Sequence, residues 1–458
     1  MKNNIFNNYI NLVLLHIGIG FGIFVFKPLS SLYFLAVVGI SLFKISQASH
    51  AKRHIYILIA CAYVVGSEVF LRMTGGNFFY ESSKYLIILF IVIGLALGDG
   101  IGKRSYKYII YLLILVPGII VGIFTLDYDT NVRTAIAFNL SGPICLGVTS
   151  LYCYNRRIHI KDLQNILLGA LLPLMSITVY LFFYSPSIKD ILSGTQSNFE
   201  ASGGFGPNQV STVLGLGVFL LTGRLFFQSK SMFLKVVNIS ILTLMAYRAI
   251  ITFSRGGVFV AIIIILMFVL TFYIKANNKL RFRVLFSLFI FGIGMLLTWS
   301  ISSLNTEGLI DKRYSNQDAL GREKQDVTTG RTNLFANELN EFFENPFLGV
   351  GVGKLKELRF QKEGVKAASH NEMSRIVGEH GIFGIIAFSI LLLSPLFFRV
   401  QNRNNIYFYS FYLFWFLTIN HSSMRIAAPA FIYGLCLLNI HYDKPPLHRK
   451  QIIKQGEK

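Results

Sequence analysis

Long apolar runs recur from one end of the 458-residue chain to the other, and they limit its possible folds more than any other feature. Most of these runs have 17–24 residues, about the length that an α-helix needs to cross the hydrocarbon core of a bilayer. Charged residues are only 14% of the chain, whereas a soluble domain averages about 25%. The pattern predicts an all-α polytopic membrane protein and excludes the soluble, secreted, fibrous and disordered classes.

The apolar runs predict about 12–14 transmembrane helices and divide the chain into four regions. The predicted spans are 8–26, 29–43, 54–71, 85–102, 107–126, 132–152, 163–184, 207–223, 236–253, 256–274, 284–303, 375–398, 405–421 and 426–441. The regions are helices 1–11 at 1–303, a long extracytoplasmic loop at 304–374, helices 12–14 at 375–441, and a cytoplasmic tail at 442–458. The first run lacks a small-residue cleavage site, so we expect it to be a retained helix and not a signal peptide.

The net charge of +21 follows the predicted topology. Every short loop on the predicted inner side carries two or more Lys or Arg residues, whereas the short outer loops carry at most two each. This is the positive-inside pattern, so we expect both termini to be cytoplasmic and no nucleic-acid partner. The four cysteines lack metal-ligand spacing and are expected to be small packing residues; they are Cys61, Cys145, Cys153 and Cys436.

Two outer segments are long, and the second one, 304–374, holds 11 of the 22 acidic residues of the chain. Long loops without their own secondary structure are usually functional. Within this loop, 334–344 predicts an amphipathic helix at the membrane interface with its acids facing water. We expect Asn345-Pro346 to end the helix and the glycines of 349–353 to form a flexible turn. The apolar side of that helix would carry Leu334, Phe335, Leu339, Phe342 and Phe343.

The motif Ser254-Arg255-Gly256-Gly257 lies at a predicted outer helix boundary. A helix N-terminus beside an arginine is suited to an anion, so Arg255 is a candidate for binding a diphosphate; interfacial snorkelling is the alternative. Arg248 lies deeper on nearly the same helical face. Because a membrane-embedded arginine needs a partner or a wet cavity, Arg248 is either a weak candidate for substrate contact or part of a structural pair, for example with a buried acid.

Arg331, in Gly330-Arg331-Thr332-Asn333, lies on the same predicted outer side as Arg255. Two guanidinium groups can bind a diphosphate by paired hydrogen bonds without a metal. An arginine in a charged loop is otherwise simply solvated.

His370 follows in Ser369-His370-Asn371-Glu372. A histidine is suited to removing a proton from a sugar hydroxyl near neutral pH, so His370 is the candidate catalytic base. Asn371 could orient a substrate or cap the next helix, and the alternative is a surface histidine beside a helix cap. The nearby His and Glu residues lack helical metal-ligand spacing. Asn208, in Gly206-Pro207-Asn208, is a further weak candidate for substrate contact, or part of a plain loop-to-helix junction.

These motifs together resemble those of the O-antigen ligase and polymerase superfamily, a group of bacterial membrane glycosyltransferases. The resemblance rests on the order of short motifs over about 200–390: Gly-Phe-Gly-Pro-Asn, Ser-Arg-Gly-Gly, Gly-Arg with Asn-Pro-Phe-Leu-Gly-Val-Gly-Val-Gly, and Ser-His-Asn-Glu with Glu-His-Gly-Ile-Phe-Gly. It implies a GT-C type fold in the inner membrane with the active site on the periplasmic face. It also implies that Arg255 and Arg331 hold the diphosphate and that His370 activates the acceptor.

The resemblance implies transfer of a glycan from an undecaprenyl diphosphate carrier, without a metal ion, nucleotide sugar or other cofactor. In a ligase the acceptor is the lipid A core, and in a polymerase it is another lipid-linked oligosaccharide. Direct attack by the acceptor hydroxyl would invert the anomeric centre. A flippase for lipid-linked sugars and a non-catalytic scaffold of an envelope-assembly complex remain alternatives, and neither needs His370.

Overall fold

The computed structural model describes residues 2–192, 194–324, 330–364 and 369–442, including side chains other than those of residues 2–8, 279 and 363. Most of the predicted tail, from residue 443, lies outside the described residues, as do Asp326 and Lys366 of the long loop. The first ten helices are α1 (Lys2–Val25), α2 (Leu29–Gln47), α3 (His50–Thr74), α4 (Ser82–Gly94), α5 (Tyr106–Ile114), α6 (Val116–Thr125), α7 (Val132–Cys153), α8 (Ile160–Tyr184), α9 (Pro207–Phe227) and α10 (Met232–Ile251).

The remaining helices include the short ones of the long loop. They are α11 (Arg255–Lys275), α12 (Asn278–Asn305), α13 (Leu309–Tyr314), α14 (Arg331–Glu344), α15 (Lys354–Glu363), α16 (Glu372–His380), α17 (Ile382–Gln401), α18 (Phe408–Ser422) and α19 (Ala428–Cys436). A π-helical turn, Leu95–Asp99, extends α4, and two 3₁₀ turns, Lys189–Ile191 and Glu200–Ser202, lie between α8 and α9. Two three-residue strands, β1 (Arg157–His159) and β2 (Asn439–His441), pair in parallel.

The predicted all-α polytopic fold is confirmed. Within the described ranges, eleven helical segments are long and apolar enough to cross a membrane, and Tyr9–Val25 of α1 is a shorter apolar one. The last two predicted spans correspond to α18 and α19, which have 15 and 9 residues and are largely buried in the core. All four cysteines are buried and unpaired by disulfides, as expected of packing residues.

Two predicted spans are interrupted in the structure. The span 107–126 is divided into α5 and α6 around Leu115, because Pro117 occupies the start of α6, where a missing backbone N–H costs least. The span 375–398 is divided at Gly381 into the charged helix α16 and the apolar helix α17. Gly381 has a φ of +60°, and a Cβ there would lie 2.6 Å from the Phe347 carbonyl oxygen. The sharp turn between α16 and α17 therefore needs a residue without a side chain.

Short connections place the helix termini at two ends of the bundle. At the first, which we call the basic end, β1 pairs with β2 and Lys275 Nζ donates to the Arg403 carbonyl at 2.6 Å. At the second, which we call the motif end, α9 and α11 begin and α18 ends, joined by contacts such as that between Thr212 Oγ1 and His421 Nε2 (3.3 Å). The helices of the long loop also pack at the motif end.

Candidate active site

The N-termini of α9 and α11 are held against each other at the motif end. Ser254 donates its hydroxyl to Asn208 Oδ1 at 2.7 Å, and Ser211 Oγ donates to the Ser254 carbonyl at 3.1 Å. A Cβ on Gly257 would lie 2.6 Å from the backbone nitrogen of Thr212. Asn208 therefore fixes the residue before Arg255, and the absence of a side chain at Gly257 permits the close approach.

The first glycine of this motif, Gly256, makes room for a histidine from α18. A Cβ on Gly256 would lie 2.5 Å from His421 Cδ2. The His421 ring is fixed by contacts of Nδ1 with the Leu417 carbonyl (3.0 Å) and of Nε2 with Thr212 Oγ1. The two glycines thus have steric roles that the sequence did not reveal, in addition to the helix N-terminus they were predicted to form.

Arg255 and Arg331, the two predicted diphosphate-binding residues, lie in one cluster of arginines. Arg255 starts α11 and donates to the carbonyl of Arg313 at 3.4 Å. Arg313, which is buried, donates from Nε to the Phe253 carbonyl at 3.1 Å. Burial and the positive charges of Arg255 and Arg331 lower the pKa of Arg313 to about 10.

Arg331 starts α14 and is half-buried. Burial, together with repulsion from Arg255 and then Arg425, lowers its pKa. This mutual influence shows that the fold brings Arg255, Arg313, Arg331 and Arg425 within electrostatic reach of one another. A concentration of guanidinium groups at a helix N-terminus is suited to a ligand with several negative charges.

His370 borders this arginine cluster. Its ring is half-buried, and its Nδ1 is buried without a hydrogen-bond partner among the described residues. Arg425 Nη2 donates to the Ser369 carbonyl at 2.9 Å, and the Ser423 backbone N–H donates to the His370 carbonyl at 3.1 Å. Burial and the charges of Arg425 and Arg331 lower the pKa of His370 to about 4, so the imidazole is neutral at pH 7 and able to accept a proton.

Asn371 caps α16. Its Oδ1 accepts from the backbone N–H groups of Met373 (2.9 Å) and Ser374 (3.2 Å), while its Nδ2 donates to Asn420 Oδ1 at 3.2 Å. Of the two roles open to Asn371, the structure therefore shows the helix cap. The same contacts tie the His370 segment to α18.

Arg248 is not joined to this cluster by the contacts that the structure gives it. It is buried and donates to Ser185 through Nη1 to Oγ and Nη2 to the carbonyl, both at 3.0 Å. Its guanidinium also lies 4.2 Å from the centre of the Phe182 ring. The suggested acidic partner is replaced by a hydroxyl and a carbonyl at the end of α8 and by an aromatic face, while Nε of Arg248 is buried without a hydrogen-bond partner among the described residues.

Two of the three acids of α14, Glu338 and Glu341, face the protein, so the prediction that they face water is wrong, whereas Glu344 is exposed. Glu338, which is 2% exposed, accepts from Arg359 Nη2 at 2.7 Å and from Ser374 Oγ at 2.5 Å. Glu341 pairs with Lys362 at 2.6 Å. These partners come from α15 and α16, which a helical pattern within 334–344 could not indicate. Phe343, by contrast, is 72% exposed, as expected for the apolar side.

A second buried charge network supports the His370 segment from α16. Arg375 pairs with Glu379 at 2.7 Å and with Glu372, and also donates to the Asn139 carbonyl at 2.9 Å. Glu372 Oε2 accepts from the backbone N–H of Met424 at 3.3 Å. The network therefore joins α16 to α7 and to the turn that carries Arg425.

A third network, on α3, holds the other side of that turn. Arg72 pairs with Glu68 at 2.7 Å and donates to the Arg425 carbonyl at 2.9 Å. Glu68 Oε2 accepts from the Ala427 backbone N–H at 2.6 Å. Sequence reasoning missed both the network and Arg425. The available signal was a lone cation in the short predicted outer turn 422–425, where the positive-inside pattern does not predict a cation.

The glycine-rich segment 349–353, which was expected to be a flexible turn, is a buried strap between α6 and α16. Val352 donates its N–H to the Gly118 carbonyl at 2.9 Å, and Gly351 donates to the Glu379 carbonyl at 3.1 Å. Gly353 donates to Glu379 Oε1 at 2.9 Å. A Cβ on Gly351 would lie 2.5 Å from the Gly122 nitrogen. The glycines serve close backbone approach here, not mobility.

Comparison with protein families now adds to the geometry. Residues 240–389 match the Wzy_C family model, described as O-antigen ligase. The chain carries an O-antigen ligase domain. The resemblance inferred from the motifs is thus confirmed, and the matched region includes Arg255, Arg331 and His370 but neither Asn208 nor Arg425. A search of curated proteins found no match.

The match supports a membrane enzyme of the O-antigen ligase and polymerase type.

Proposed function

We propose that the protein transfers a glycan from a polyprenyl diphosphate carrier to an acceptor hydroxyl at the outer face of the bacterial inner membrane, as a ligase with a lipid A core acceptor. The observation that carries this proposal is the convergence of Arg331 and Arg425 on a neutral His370 at the motif end, with Arg255 close to Arg331. The motif end is assigned to the periplasm because the basic loops predicted as cytoplasmic lie at the other end.

The arginines are suited to the departing diphosphate. As the bond from the anomeric carbon to the diphosphate oxygen breaks, its electron pair moves to the diphosphate, and negative charge develops there. Guanidinium groups fixed beforehand stabilise that charge without reorganising. Arg255 is fixed through Arg313, and Arg331 by its place at the start of α14.

His370 acts on the acceptor. The acceptor oxygen attacks the anomeric carbon from the side opposite the diphosphate, while its proton passes to the imidazole, so the configuration inverts in one step. A base with a pKa of about 4 is weak, but the negative charge of the bound diphosphate opposes the arginines and raises the pKa of His370. Donor binding thereby strengthens the base at the stage at which it is needed.

The test is a transfer assay in proteoliposomes with an undecaprenyl diphosphate-linked glycan. Two acceptors are offered, the lipid A core and a second lipid-linked repeat unit, and wild type is compared with His370→Ala, Arg255→Gln and Arg331→Gln. We expect transfer to the lipid A core by wild type and a loss of about 100-fold or more for each variant. The exposed Arg322 provides the control variant Arg322→Gln, which should keep wild-type activity.

Extension of the lipid-linked unit alone would reassign the enzyme as a polymerase with the same site. Wild-type activity in folded His370→Ala would reject His370 as the base. No transfer to either acceptor, combined with movement of the donor across the bilayer, would favour a flippase.

A further inference from the structure

A cleft of about 700 Å³ lies at the motif end between the α6–α7 connection and α15. Its walls include Asp129, Thr134, Phe138, Lys356, Phe360 and Gln361. We infer that this cleft binds the glycan of the acceptor and leads its hydroxyl toward His370. The inference rests on the proposed function, because it is the transfer reaction that requires an acceptor site.

The chemistry of the lining fits a carbohydrate. Phe138 and Phe360 are 37% and 45% exposed and offer apolar rings to the C–H faces of sugars. Thr134, Lys356 and Asp129 are exposed beside them and supply donors and acceptors for hydroxyl groups. Aromatic surface combined with a few polar groups, in a volume of about 300–1,000 Å³, is typical of a small-ligand site.

The position of the cleft connects it to the catalytic base. A smaller cavity shares Phe138 and Asn139 with the cleft, and its other walls include Ser369, Ser423 and Arg425. These three residues flank His370 in sequence or contact its segment. The smaller cavity, of about 20 Å³, has room for about one hydroxyl group, so a glycan in the cleft could direct only a hydroxyl into the surroundings of His370.

The cleft is also separate from the predicted diphosphate site. Within the described part of the chain, the walls of the two cavities include neither Arg255 nor Arg331. When a transferase inverts the anomeric configuration, the acceptor hydroxyl attacks from the side opposite the leaving diphosphate. An approach that neither of these two arginines lines therefore suits the acceptor better than the donor.

Two acidic side chains of the cleft are already paired with a lysine. Lys354 pairs with Asp127 at 2.7 Å and with Glu357 at 2.8 Å. Glu357 also accepts from the Asp127 backbone N–H at 3.2 Å and from the Thr130 hydroxyl. Because the ammonium group already occupies the space between the two carboxylates, this arrangement favours a neutral, hydroxyl-rich ligand over a metal cation.

The first measurement is equilibrium binding of two soluble probes to the purified full chain in nanodiscs. The probes are the core oligosaccharide released from lipid A and the oligosaccharide released from the lipid-linked repeat unit. The variants are Phe360→Ala and Phe138→Ala, and Phe343→Ala is the matched control because its ring is exposed on α14. We expect at least one probe to bind wild type, with a Kd raised roughly fivefold or more in each cleft variant and unchanged in the control. Equal binding by all four proteins, or binding by none, would overturn the assignment.

The second measurement separates the cleft from the proposed function by steady-state transfer kinetics. In Phe360→Ala the acceptor KM should rise roughly fivefold or more, while kcat and the donor KM stay near wild type. An unchanged acceptor KM would reject the cleft and leave the transferase intact, and a raised donor KM would reject it as the acceptor site. Cleft-dependent binding without any transfer would instead reject the proposed function and retain a glycan site. If a cleft variant fails to fold, Lys356→Ala, which changes an exposed side chain, replaces it.

Discussion

Arg425 donates a hydrogen bond from Nη2 to the carbonyl oxygen of Ser369, the residue before His370, at 2.9 Å. The guanidinium that fixes this backbone also lowers the pKa of His370 by its positive charge. After burial, which is the largest cause of the lowered pKa, the same side chain therefore acts on both the position and the protonation of the proposed base, from a turn that lies outside the matched family region.

The pH dependence of transfer should reveal the effect of Arg425 on the pKa of His370. His370 must be neutral to accept a proton, so activity falls as the pH drops through its pKa, which lies at about 4 in the free protein. Removing a nearby positive charge raises that pKa. In Arg425→Gln, the acid limb of kcat/KM, which reports the free enzyme, should move to higher pH.

The measurement is a profile of kcat/KM between pH 4 and 8, and Arg322→Gln serves as the control because Arg322 is 75% exposed and pairs with Asp318. An acid limb that stays in place in Arg425→Gln would show that Arg425 does not act on the base.

Gly257→Ala should disable the site without touching a charged residue. The added methyl would lie 2.6 Å from the Thr212 nitrogen, which is backbone and cannot swing aside, so the starts of α9 and α11 must separate. We expect transfer to fall roughly tenfold or more through displacement of Arg255. Gly292→Ala on α12 is the control, since nothing lies within 4 Å of its added Cβ. Equal activities in the two variants would contradict the close packing described for α9 and α11.

Arg375→Met should be strongly destabilising. It leaves Glu372 and Glu379 buried, at 2% and 1% exposure, without the guanidinium that pairs with both. Breaking a buried ion pair from one side costs about 3–5 kcal/mol, whereas loss of the exposed pair of Arg322 with Asp318 should have little effect on stability. Denaturant unfolding of Arg375→Met and Arg322→Met in detergent micelles compares the two. A loss of similar size in both would argue that α16 is not held by this network.

Single introduced cysteines can test which side of the membrane the motif end and the basic end each face. The four native cysteines are buried, so labelling by an impermeant thiol reagent should report the introduced residue. Glu344→Cys, exposed at the end of α14, should react in intact spheroplasts. Lys230→Cys, exposed between α9 and α10, should react only after lysis. The reverse pattern would place the proposed site in the cytoplasm and overturn the mechanism.

The sequence predicted the helices far better than it predicted the contacts of the site. Each apolar run carries its own signal for a spanning helix, so α7 and α11 were found almost to the residue. Arg255, Arg331 and His370 were singled out by local motifs, and the fold does bring them together. The partners of Glu338 on α14 could not be inferred, because Arg359 and Ser374 lie 21 and 36 residues away in sequence.

The contacts of charged residues on apolar helices also could not be predicted from the sequence. Glu68 and Arg72 lie four residues apart on α3 and pair with each other, which is visible in sequence. Their use as a support for Arg425 and Ala427 depends on contacts across more than 350 residues. Hydropathy reports the cost of burying such groups but not the distant backbone that compensates for it.

The strap at 349–353 gives this loop an unusual intolerance to changes in length. Surface loops normally accept inserted residues. Here the N–H groups of Val350 and Gly351 are matched in order to the carbonyls of Gly378 and Glu379, while Val352 is matched to Gly118. One added residue would shift every later backbone N–H away from its carbonyl acceptor and would push a side chain against α6. Natural variation in the length of this outer loop should therefore be confined to either side of the five residues, and peptide tags inserted there should be tolerated only outside them.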